Sequence, residues 1–175
     1  TKIGGGMEFI ATADVSNAAT VSFTGFDASK YDSYLFTAAN ILPQTDQKPF
    51  AMRMSVDSGS NYLAASDSYR TVSSTGVSAG DSTLLPLCGV GVGNVANTEG
   101  LSGNFTINGP HLNASTYVTS VVTMDRGAES FGTSIVVGPA AGKTKAATVV
   151  DAVQFLFVSG NIVSGTITMY GMVNS

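Results

Sequence analysis

The chain has 175 residues, enough for one domain with a proper core, and 43% of them are hydrophobic. Only 11% are charged, against roughly 25% in an average soluble protein, and the net charge is −4. Lys and Arg are scattered with no basic cluster to neutralise phosphates, so nucleic acid is excluded as an expected partner, and no run approaches the ~20 apolar residues of a membrane span.

Thr1, Lys2, Ile3, Gly4, Gly5 and Gly6 open the chain. This start holds no apolar segment long enough for a secretory signal, and Thr1 is compatible with removal of an initiator Met. The glycines predict a flexible arm over residues 1–7, followed by one domain over 8–175.

From there apolar residues recur with period two, in short runs rich in Val, Ile, Thr, Phe and Tyr. MEFIATAD is the first expected strand, ATVSFTGF the second and SYLFTAAN the third. PFAMRMSV alternates so that Phe50, Met52, Met54 and Val56 share one face, and DSGSN ends it as a turn. SDSYRTVSS is a weaker strand. LLPLCGVGVGNVAN is apolar but broken by glycines, which suits bulges or close backbone approaches. LSGNFTIN, TYVTSVVTM and the short GTSIVV follow. DAVQFLFVS then puts Val153, Phe155 and Phe157 on one face, and SGTITMYGMV puts Ile167 and Met169 on one face. About ten strands with polar turns and no helical connection imply an all-β, antiparallel β-sandwich, jelly-roll-like at this length.

Several stretches imitate chemistry. IVVGPAAGKT, Ile135 to Thr144, resembles a phosphate-binding loop, but Gly138 and Gly142 enclose three residues where four are needed. Pro139 also removes an N–H, and the following residues lead into a strand instead of a helix. The expected reading is a surface loop with Lys143 and Lys145 solvated. Asp57-Ser58-Gly59 imitates an aspartic-protease loop, yet such carboxylates must share one proton, and no second Asp-Ser/Thr-Gly occurs. The same segment has Ser68 where a calcium loop needs a bidentate Glu. One His, His111, cannot make the usual zinc set, and in INGPHLNAS it reads as a solvated loop residue. No GxSxG elbow supports a Ser–His–Asp triad. Cys88 is the one cysteine, and its apolar flanks predict a buried inert thiol. Aromatic sugar platforms lack Trp, and Tyr31, Tyr34, Tyr62, Tyr69, Tyr117 and Tyr170 read as half-buried sheet packing. No catalytic residue, cofactor or metal is therefore expected.

A pattern of turns and strands carries a resemblance. Phe23-Thr24-Gly25, Tyr31-Asp32, Asn40-Ile41-Leu42-Pro43, Asp57-Ser58-Gly59-Ser60 and Tyr170-Gly171 stand in the order found in a group of small β-rich virion proteins of tailed bacteriophages. The chain resembles that group over roughly half its length, with Ser58 in place of a usual glycine; the middle, about residues 71–145, carries no resemblance. The resemblance implies a structural protein of the virion, with head decoration (cement) proteins and tail or fibre modules both in the group. One domain, without a shaft or attachment domain, fits a decoration protein that stabilises the capsid surface. The alternative is a tail- or fibre-associated module recognising a host surface glycan or protein. Decoration implies the major capsid protein or another virion subunit as partner, self-association as a homotrimer, and shell contacts through the arm, Thr1 to Gly6. A weakly charged Ser/Thr surface suits an outside covered by copies or neighbours.

Overall fold

Alternation at period two becomes strand throughout, and no helix forms among the residues that the computed structural model describes, which are 6–72, 80–127 and 135–173. Among them are twelve strands: β1 Met7–Ala18, β2 Val21–Thr24, β3 Tyr31–Pro43, β4 Phe50–Ser55, β5 Tyr69–Val72, β6 Gly80–Ser82, β7 Leu85–Pro86, β8 Gly100–Asn108, β9 Tyr117–Asp125, β10 Ile135–Thr144, β11 Ala152–Phe157 and β12 Ile162–Val173. They form an eight-stranded sheet ordered β1-β12-β3-β8-β9-β10-β5-β6 and a four-stranded sheet ordered β2-β11-β4-β7. The protein is a β-sandwich of antiparallel sheets.

Eight of these strands carry the order of a jelly roll, in which β1-β12-β3-β8 faces β2-β11-β4-β7 and successive strands change sheet. Two insertions extend the larger sheet beyond β8. One, between β4 and β7, supplies β5 and β6; the other, between β8 and β11, supplies β9 and β10. The structure therefore has a jelly-roll half and an added flank.

Inward positions follow the alternation. Phe50, Met52 and Met54 of β4, Val153 and Phe155 of β11, and Ile167 and Met169 of β12 are fully buried. Val56, expected on that apolar face, lies just past the end of β4 and is exposed. Phe155 is the hub, with ring centroids of Phe23, Phe36, Phe50 and Phe105 at 6.1, 5.1, 5.9 and 5.8 Å. Offset and edge contacts of this kind add to the burial of the five large rings.

β7 and the glycine-broken stretch after it close the inner face of the flank. Leu85, Leu87, Cys88 and Val92 are buried there. The Ser120 hydroxyl of β9 donates to the Leu87 carbonyl, and the Phe50 N–H reaches the Cys88 sulfur at 3.1 Å. Burial pushes the Cys88 thiol up to about 11, so it stays protonated and inert, as its flanks predict.

The residues of the turn-and-strand pattern occupy bends and close approaches. Gly171 lies under the ring of buried Tyr31, where an added Cβ would come within 2.4 Å of the ring. Asn40, at φ 52°, makes a bulge in β3 opposite the irregular Ser164–Thr166 stretch of β12. The Asp57 carboxylate accepts the Ser55 hydroxyl at 2.8 Å and the Asn61 backbone N–H at 2.8 Å, which closes the turn after β4.

Candidate interaction surface

In a two-layer sandwich the larger sheet has one face on the core and one outside. The register fixes what stands on the outside. One cross-strand row reads Thr12, Thr168, Thr37, Asn104, Val121, Pro139 from β1 to β10. A neighbouring row reads Phe9, Tyr170, Leu35, Thr106, Thr119, Ala141, Val72. Between β1 and β5 the charged residues on this face are Asp14, Asp125, Lys143 and Arg70, and all four lie toward its margins. The low charge of the composition is thus concentrated into one broad polar and apolar surface.

Large apolar side chains stand out from it in two places. On β9 and β10, Tyr117, Val121, Ile135 and Val137 are 56%, 60%, 75% and 62% exposed, with exposed Pro139 between them. At the opposite edge, Met7, Phe9 and Met172 are exposed, and the Phe9 ring packs edge-on against Tyr170 at 6.2 Å. Clusters of this kind on an otherwise polar surface mark contact sites. The second lies at the start of β1, an edge strand whose outer side pairs with no other described strand.

Two shallow grooves flank the β9–β10 ridge. One, of about 320 Å³, is lined by Arg70, Val72, Tyr117, Ala141 and Lys143. The Lys143 ammonium sits 5.6 Å from the centre of the Tyr117 ring and 3.2 Å from the Ser115 hydroxyl. The other, of about 230 Å³, lies at the far end between Glu99, Thr123, Asp125 and Ile135. There the Glu99 carboxylate accepts the Val95 N–H at 2.7 Å, and Asp125 accepts the Gly127 N–H at 2.9 Å.

The stretches that imitate chemistry are taken up by structure. IVVGPAAGKT is no loop: it is strand β10, paired with β9 along most of its length and with β5 over its last four residues. Pro139 lies beyond the reach of β5, which extends only to Ala141, so among the described residues β9 is the one strand paired with β10 there, a position that suits proline. The Thr144 hydroxyl accepts the Thr116 N–H at 2.9 Å and donates to the Ala146 carbonyl at 3.1 Å. Lys145, expected to be solvated, pairs with Asp81 at 2.7 Å and holds that carboxyl below its ordinary range.

Asp57 is held below its ordinary range first by the Asn61 side chain, then by the Asn61 N–H and the Ser55 hydroxyl. It stays an ionised turn anchor. Asp151 accepts the Ser58 N–H at 2.9 Å. His111, expected in solvent, keeps only 23% of its side chain exposed, with Nε2 3.8 Å from Asp32. Of the six tyrosines, Tyr31, Tyr34 and Tyr69 are buried, Tyr62 and Tyr170 are half-buried, and Tyr117 alone stands out from the surface. Among the described residues, no three His, Cys, Asp or Glu side chains gather as metal ligands. Thr1, Lys2, Ile3, Gly4 and Gly5, expected as partner contacts, lie outside the described residues. Gly6 is exposed, and its carbonyl accepts the Val173 N–H at 2.9 Å.

No protein-family model matches the sequence, and no curated protein matches it.

Proposed function

We propose that this chain is a structural protein of a bacteriophage virion, a capsid decoration protein that stabilises the head through contacts made by its surface and performs no catalysis. The observation that carries the reading is the outer face of the larger sheet: broad, charged only toward its margins, and studded with exposed Val, Ile, Tyr, Phe and Met. Such a face suits burial against protein neighbours better than a life free in solution. The resemblance of the turn-and-strand pattern points the same way.

The shell contact is assigned to the start of β1. Met7, Phe9 and Met172 offer apolar area there, and the outer edge of β1, paired with no other strand among the described residues, offers backbone groups to a neighbouring segment. The residues before Met7 extend this contact onto the major capsid protein.

Antibody labelling of purified particles tests the reading. Label over the heads is expected. Label at the tail tip would replace decoration with the host-recognition alternative, and particles without label would remove both. A chain beginning at Met7 that binds heads as tightly as the full chain would take the arm out of the contact.

A further inference from the structure

The geometry points to a second copy of this chain as the occupant of the β9–β10 ridge, packed face to face about a two-fold axis. This stands on the ridge itself and holds whether or not the protein belongs to a virion.

The ridge is symmetric about one residue pair. Val121 of β9 lies opposite Pro139 of β10. Four residues along in one direction is the pair Tyr117–Lys143, and four in the other is Asp125–Ile135. The two ends are about 27 Å apart, for eight steps of ~3.4 Å. They are also opposite in character. One end is an apolar groove edged by Arg70 and Lys143. The other carries Ile135, the most exposed large apolar side chain among the described residues, beside the carboxylates of Asp125 and Glu99.

A two-fold axis lying between the copies, parallel to the Val121–Pro139 row and facing it, exchanges these ends. Ile135 of each copy then enters the groove at Tyr117 of the other, and each acidic end meets a basic one. Isologous contacts require such self-complementarity, because residue i must suit residue j in both directions. A three-fold ring would have to match the ridge to another surface and would leave this pairing unused. Aligned face-to-face packing of sheets is an ordinary arrangement, with side chains of the two faces filling ~10 Å between them.

The test is the solution mass of the full chain at tens of micromolar, with variants. Two copies are expected. Val121→Lys, facing the axis, should give one copy with an unchanged circular-dichroism spectrum, since its side chain is exposed. Lys143→Glu alone and Asp125→Lys alone should each weaken pairing about tenfold, by setting like charges together. Combined in one chain they should restore it. Within one copy these residues are too far apart to touch, so only contact between copies gives the rescue. One copy or three copies for the unaltered chain would overturn the proposal. So would a pair that survives Val121→Lys, or single charge reversals that the double variant fails to rescue.

Discussion

The jelly-roll half and the added flank use the same sheet in different ways. Both present their inner side to the core, where Ile167 and Met169 of β12 are buried like Val118, Val122 and Met124 of β9. On the outside they part. Along one continuous row, the jelly-roll half shows Thr12, Thr168, Thr37 and Asn104, while the flank shows Val121 and Pro139. Threonine and valine are nearly the same size and equally at home in a strand. Replacing a hydroxyl by a methyl therefore changes little in the strand and much in what the strand can cover. The flank differs by having two apolar faces, and two apolar faces need two partners.

Substitutions can break this comparison, beginning where the jelly-roll half is densest. Phe155→Ala empties the hub of four phenylalanine rings and should cost about 3–5 kcal/mol in denaturant unfolding. Gly171→Ala drives a methyl into the Tyr31 ring and should cost about 1–3 kcal/mol by overpacking. Tyr69→Phe, where the flank meets β4, leaves the Met54 N–H and the Leu63 carbonyl without the hydroxyl that serves them at 2.7 and 3.0 Å. Roughly 1–2 kcal/mol is expected. Val121→Lys on the outside of the flank should leave the stability of the single copy within about 0.5 kcal/mol, while removing self-association.

The smallest expected effect is a pH dependence at the turn after β4. Asp57 binds protons more weakly folded than unfolded, since its carboxyl is held below the ordinary 3.8. Its contribution is present above that value and fades as pH falls through the lower folded value. Asp57→Asn should lower stability slightly at neutral pH, where the ionised carboxyl contributes, and change it least in acid, so that the acid limb of the profile is flatter. An acid limb steeper in the variant than in the parent would contradict the anchoring role.

How much of this is legible in the residues varies by region, for physical reasons. β4, β11 and β12 alternate cleanly on their core-facing positions, so their buried sets are read directly from period two. β10 is not legible past Val137, because Gly138, Pro139 and Gly142 are ordinary signs of a strand's end. The fold overrides them with continuous pairing to β9 and with Gly142 packed against Leu85, where an added Cβ would meet the Leu85 Cγ at 3.0 Å. β6 and β7, of three and two residues, are too short to show any period. The ridge is illegible for another reason. In TYVTSVVTM both faces carry valine, and alternation alone cannot say whether Val121 or Val122 turns to the core. The register settles it: Val122 is buried at 1% exposure and Val121 is 60% exposed. The acidic end could not be found at all, since Glu99 and Asp125 come together only when β8 pairs with β9.

The most direct measurement sets one introduced cysteine on each half of the outer face. Cys88 is buried and does not compete. Val121→Cys should be joined to its own counterpart by a bifunctional thiol reagent that spans the ~10 Å between facing sheets, a gap too wide for a direct disulfide, and should lose reactivity toward a bulky thiol reagent as concentration rises. Thr168→Cys, on the jelly-roll half, should react freely at every concentration. Equal and concentration-independent reactivity at the two positions, with no cross-link through residue 121, would contradict the account.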